Sequence, residues 1–158
     1  MPNLNKVTPE AGMSSTKVWV TLFALMCFQC KVLAHNTGIS KRQFMNEYYL
    51  SSNWNFDTYK CDAVMLKKRI PRDQNSHVFV YISWYQLEHL CIRNHWNDRY
   101  RNTYVWTPTP IKVLTCHRQR FKIGYTESRS FNYVEFHCNM DGYVNSIEDM
   151  KLVALIDT

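Results

Sequence analysis

Six cysteines fall into two sets, and that division restricts the fold more than any other feature of this 158-residue chain. Cys27 and Cys30 lie within and just after an apolar N-terminal run, whereas Cys61, Cys91, Cys116 and Cys138 lie in the body. The run, Val18 to Phe28, follows Lys17 and precedes Val32-Leu33-Ala34, which offers a small residue where signal peptidase cleaves. Its eleven residues fall short of the roughly 20 that a helix needs to cross a bilayer. A secretory signal over residues 1–34, removed from a domain over 35–158, is therefore expected, with no transmembrane anchor. Met13 would open an ordinary signal sequence by itself, which makes residues 1–12 an upstream extension. Cys27-x-x-Cys30 would suggest a redox or metal pair in a cytosolic enzyme, but inside a leader it is set aside.

The even number of body cysteines in an exported chain favours two disulfides, in any of the three pairings that four cysteines permit. Zinc fits poorly, because the four are separated by 30, 25 and 22 residues, without the close pairs of structural zinc sites. No metal or other cofactor is expected, and no Asn-x-Ser/Thr sequon is present. With 46% hydrophobic and 15% aromatic residues, the chain is neither disordered nor coiled-coil, and its length suits one domain. The formal charge is +6, yet Lys6, Lys17, Lys31 and Glu10 precede residue 35. The body thus keeps 16 basic and 12 acidic residues, a net of +4.

Within the body, Phe44, Met45, Tyr48 and Tyr49 suit an amphipathic helix from about Lys41 to Leu50. Asp57 is placed to cap a second helix with Cys61, Val64 and Met65 on one face, and Trp84, Leu87 and Cys91 mark a third. His77–Ile82, Thr103–Trp106, Ile111–Cys116 and Phe131–Cys138 read as strands, the last alternating Val134, Phe136 and Cys138 with Tyr133, Glu135 and His137. Helices first and strands later give an α+β class with an antiparallel sheet. No GxGxxG, Walker or HExxH motif occurs.

The order of these elements, with inward Phe44, Cys61-Asp62-Ala63-Val64-Met65, Phe79-Val80 and Gly142-Tyr143-Val144, resembles the pancreatic-type ribonuclease superfamily across essentially the whole body. The strings DRYRNTYVW (Asp98–Trp106), YTESRSFNYVEFHC (Tyr125–Cys138) and DGYV followed by IED (Asp141–Asp149) resemble its epididymis-specific secretory branch. The resemblance implies three short helices packed on a bent antiparallel sheet and the disulfides Cys61–Cys116 and Cys91–Cys138. It also places Asp73 and Ile123 where a further bonded pair of the superfamily would stand.

Ribonucleases of this kind use two histidines as general base and acid, and a lysine that stabilises the pentavalent phosphate. The resemblance puts Tyr48, four residues after Phe44, at the first histidine; Gln74, five before Phe79, at the lysine; and Ile147, nine after Cys138, at the second histidine. Glu47 stands for a phosphate-facing glutamine and Val78 for a base-reading threonine. A phenol near pKa 10 is a poor base at neutral pH, and isoleucine carries no exchangeable proton. The expectation is an inactive ribonuclease fold. Of the remaining histidines, His35, His77, His89, His95, His117 and His137, none stands at a catalytic position of the resemblance; ordinary surface or hydrogen-bonding roles are expected, with His117 and His137 the pair to test for replacement chemistry.

Lys67, Lys68, Arg69 and Arg72, and separately Arg118, Arg120 and Lys122, offer basic surface for RNA, a sulfated glycan or an anionic cell surface, although +4 over the body implies at most weak nucleic-acid binding. Trp54, Trp84, Trp96 and Trp106 read as core or loop-anchoring side chains. Together these features lead to a secreted monomer without ribonuclease activity, and the epididymal likeness implies a binding or accessory role in sperm maturation. Its partner would be the sperm surface or an extracellular protein or glycan. The alternatives are a weak or unconventional endoribonuclease and a cationic host-defence protein.

Overall fold

The computed structural model describes residues 14–36 and 39–157. Residues 1–12, read as an upstream extension, lie outside them, as do the side chains of Cys30, Ala34 and His35. Helix α1 (Ser15–Asn36) belongs to an N-terminal unit of its own, and on it Trp19, Phe23 and Met26 are exposed. None of the described helices is long and apolar enough to cross a membrane.

The second unit carries three short helices, α2 (Ile39–Glu47), α3 (Cys61–Lys67) and α4 (Trp84–Leu90). Its strands are β1 (Tyr49–Ser51), β2 (Ser76–Ile82), β3 (Thr103–Trp106), β4 (Ile111–Arg118), β5 (Tyr125–Cys138) and β6 (Val144–Leu155). They join one sheet in the order β1-β2-β4-β5-β3, with β6 also paired to β5. The pairings are antiparallel except that β1 runs parallel to β2, Tyr49 opposite Val80, so the sheet is mixed rather than wholly antiparallel. Three register shifts interrupt the β5–β6 ribbon, between Phe131 and Asn132, Glu135 and Phe136, and His137 and Cys138. Such bulges bend a strand and sharpen its twist.

Two core clusters hold this unit, each built around one disulfide. Because successive strand side chains point to opposite faces, Val80 and Val113 enter one cluster while their neighbours Phe79 and Leu114 enter the other. The first cluster joins Phe44, Leu87, Val134 and Phe136 to Cys91–Cys138; the second joins Phe56, Val64 and Met65 to Cys61–Cys116. Both pairings agree with the family expectation.

Several local expectations need correction. The first helix ends at Glu47, and Tyr49-Leu50 belong to β1, since pairing with β2 supplies that backbone with partners which a further helical turn would forgo. Asp57 does not cap the second helix: it sits in a 3₁₀ turn, Phe56–Thr58, whose cap is Asn55, accepting from the Asp57 N–H. Instead Glu127 of β5 accepts from the Cys61 N–H at 3.2 Å. Trp84 does not share the buried face of Leu87 and Cys91. It starts α4 behind a Ser83–Gln86 capping box, 45% exposed, with the Lys41 ammonium 3.8 Å from its ring centre. Trp54, Trp96 and Trp106 are exposed too, Trp96 beneath Arg99 and Trp106 beneath Lys151. Indole rings that meet cations are favourable outside the core because their faces carry partial negative charge.

Candidate functional site

The C-terminus of α2 sets the first side of the site. A helix leaves its last four carbonyls without intrahelical donors, and here all four are met. The Tyr48 N–H donates to Phe44 O, the Lys68 ammonium to Met45 O (2.8 Å) and Asn46 O (3.3 Å), and His77 Nε2 lies 2.9 Å from Glu47 O. Burial, reinforced by the neighbouring Lys67 charge, lowers the Lys68 pKa to about 8. Lys68 therefore faces the end of α2, outside any basic surface. Lys68→Met keeps the apolar stem but strands two carbonyls at the negative helix end. It should lower stability by about 1–2 kcal/mol, read from the urea midpoint.

Tyr48, Gln74 and Ile147 come together at one cleft of about 440 Å³, with His77, Glu148 and Asp149 also on its walls. Tyr48 arrives from the end of α2, Gln74 from just before β2, and Ile147 from β6. The Tyr48 ring stacks on the His77 imidazole, centres 5.3 Å apart and planes 7° apart. Burial, then the Glu47 charge and hydrogen bond, then Glu148, raise the Tyr48 pKa, so the phenol holds its proton even more firmly than a free one. Ile147 packs against the first core cluster.

His77, expected in an ordinary surface or hydrogen-bonding role, takes the hydrogen-bonding one, and its place on the cleft wall was not expected. It is only 7% exposed, with Nδ1 2.8 Å from Gln74 Oε1. The Glu47 carbonyl can only accept, which puts the proton on Nε2. A neutral ring then offers Nδ1 as acceptor, and the Gln74 amide must turn its NH₂ toward it. Burial lowers the His77 pKa, outweighing the opposing pull of the Glu47 carbonyl and charge. The available signal was its period-two spacing from Phe79, which puts both on one strand face.

A group with a folded pKa below its unfolded value binds fewer protons in the native state. Stability is therefore complete above about pH 6.5 and declines as pH falls through that value, with a slope of at most about 1.4 kcal/mol per pH unit. His77→Gln should flatten that decline in urea titrations between about pH 7 and pH 5.5.

Chemically, the cleft presents a protonated phenol, a carboxamide, an aliphatic chain and two carboxylates. Its single imidazole is engaged at both nitrogens. Glu148 and Asp149 add negative charge to its wall, which disfavours an anionic ligand there. The other candidate histidines lie elsewhere: His89, His95 and His117 are exposed, and His137 meets Asn102 Oδ1 at 3.2 Å.

The basic residues converge differently from the sequence grouping. Arg69 and Arg72, after α3, share a groove of about 1130 Å³ with Arg118 at the end of β4 and with Arg120 and Lys122 of the β4–β5 connection. Lys67 is exposed but does not line it. Asp73 and Ile123 are both exposed, Ile123 completely.

No family model matches the sequence. The human epididymal secretory protein E3-beta is 54% identical over 140 residues, covering 89% of this chain and 95% of the relative. Human epididymal secretory protein E3-alpha is 44% identical over the same span and shares. Among solved structures, amphinase, a cytotoxic ribonuclease from Rana pipiens oocytes, matches with a TM-score of 0.57 at 11% identity, over 72% of this chain and 99% of amphinase. Green turtle egg white ribonuclease matches with a TM-score of 0.54 at 14% identity, over 71% and 98%. At these identities the solved structures establish the ribonuclease fold alone.

Proposed function

We propose that this chain, a member of the family of the epididymal secretory proteins E3-alpha and E3-beta, is a secreted ribonuclease-fold protein without ribonuclease activity that serves as a binding or accessory factor in sperm maturation. The observation that carries the reading is the meeting of Tyr48, Gln74 and Ile147 in one cleft beside Glu148 and Asp149. There a general acid, a general base and an ammonium would all be required. Secretion is supported by the relatives' names and by the apolar run Val18–Phe28, which matches a leader in length and flanks. Residues 1–34 are then the removed signal and 35–158 the acting domain, operating in the epididymal lumen.

His77 is the one observation that favours an unconventional endoribonuclease, since it brings an imidazole to the cleft. The experiment that separates the readings combines two assays on protein collected from secreting cells. Saturable binding to washed sperm, without turnover of a fluorogenic oligoribonucleotide, supports the accessory role. Turnover that disappears in His77→Ala would establish the enzyme instead.

A further inference from the structure

We infer that the connection between β4 and β5 is a membrane-docking tip that seats the protein on an anionic phospholipid surface. The inference rests on the binding-factor reading and names the surface that such a factor recognises. It uses a part of the molecule separate from the Tyr48 cleft.

From Arg118 to Lys122 every second residue is a cation, the last two are each followed by an apolar residue, and the fold leaves those apolar residues bare: Phe121 is 98% exposed and Ile123 100%. The base of the loop is tied down. The Arg118 N–H donates to Asn75 O (2.9 Å), the Gln119 N–H to Gly124 O (3.0 Å), and the Tyr125 N–H to Asp62 Oδ1 (3.0 Å). Gly124 makes the return at φ +127°, where a Cβ would come within 3.2 Å of that same Asp62 carboxylate oxygen. The tip is thereby held away from the body instead of folding its Phe and Ile onto it.

Facing the tip, α3 ends with Arg69 in the left-handed region at φ 55°, its N–H donating to Leu66 O while the Ile70 N–H donates to Met65 O. Glycine is the usual residue at such a helix end. An arginine there adds a guanidinium to the groove that Arg72, Arg118, Arg120 and Lys122 also line. Leu66, 68% exposed, adds apolar surface beside it. The acidic member of the groove, Asp62, is occupied by the Tyr125 backbone.

Three polyanions could answer the cations, but they differ in what they offer Phe121 and Ile123. A sulfated glycan has no apolar matter to cover them, and RNA bases would stack on the phenyl ring while leaving the isoleucine in water. An anionic bilayer accepts both classes of side chain at once, phosphates and carboxylates for the arginines and the glycerol–acyl boundary for the tip.

The test sediments secreted protein with vesicles of phosphatidylcholine alone or mixed with phosphatidylserine. Binding to the mixed vesicles should be at least about tenfold tighter and weaken in raised salt. The Phe121→Ser/Ile123→Ser variant should bind about 30-fold more weakly. Its fold is checked by an unchanged circular dichroism spectrum and melting temperature, as expected where both side chains lie in water. Arg118→Ser/Arg120→Ser should also lose binding. Retained affinity in the Phe121/Ile123 variant, with loss only in the arginine variant, would mark a polyanion site and overturn the inference. Sperm binding without vesicle binding would overturn it as well while leaving the accessory role standing; binding to neither would remove both.

Discussion

Replacing Cys61 and Cys116 together by alanine should lower the unfolding free energy by about 4 kcal/mol, and the Cys91/Cys138 pair by a similar amount. The bonds close segments of 55 and 47 residues, and on the chain-entropy account cross-links of that reach remove a large set of denatured conformations. Each also occupies the centre of a core cluster, with all four cysteines at most 1% exposed. Losing both removes an amount comparable with the whole stability of a small domain, so the fully reduced protein should be unfolded at body temperature. The measurement is a urea titration of each double variant, paired with thermal melting of the reduced chain. A loss of under about 1 kcal/mol per pair would show that the bridges decorate an already stable core, contrary to the loop-closure argument.

The bridges matter this much because the ribonuclease frame here has fewer of them than its superfamily resemblance would supply. At Asp73 and Ile123, where that resemblance places a further pair, both side chains are exposed. Ile123, one of these two, is part of the free tip of the β4–β5 connection. Shape at that end of the sheet is left to backbone hydrogen bonds from Arg118, Gln119 and Tyr125.

What the sequence disclosed follows the physics of local periodicity. Phe44, Leu87 and the Val134-Phe136-Cys138 alternation each mark a buried face, and all are 4% exposed or less. Strand β6 lacked that mark. Glu148, Asp149 and Lys151 break its apolar pattern, and Leu152, Val153 and Leu155 remain exposed, so no single wet face is written into it. Strand β1 is three residues long and exists through its parallel pairing with Val80–Ile82, which nothing local to Tyr49–Ser51 could show. The site was half legible. The resemblance singled out Tyr48, Gln74 and Ile147, which share one cleft, but the roles of His77 and Lys68 depend on where the carbonyls at the end of α2 point. The joining of Arg69 and Arg72 to Arg118, Arg120 and Lys122 likewise depends on long-range contacts such as Asp62 with Tyr125.

The largest functional effect is expected from rebuilding the cleft. Unaltered, the chain should cleave a fluorogenic oligoribonucleotide at least about 10⁴-fold more slowly than an active ribonuclease, since each acid–base group contributes roughly 10²–10⁴ and a charge stabiliser a comparable factor, acting as a unit rather than additively. Tyr48→His/Gln74→Lys/Ile147→His supplies all three groups at positions that already share the cleft, and should raise turnover by about 100-fold or more. A bell-shaped pH profile would report an acid and a base working together. Full recovery is not expected, because Glu148 and Asp149 still oppose the phosphate and Gln74→Lys removes the partner of His77 Nδ1. Adding Glu47→Gln, which removes a negative charge acting on position 48, should therefore raise turnover further. A triple variant that folds with an unchanged melting temperature yet gains nothing would show that the three positions do not converge on a scissile phosphate. Rapid cleavage by the unaltered chain would show instead that other side chains, His77 first among them, perform the proton transfers.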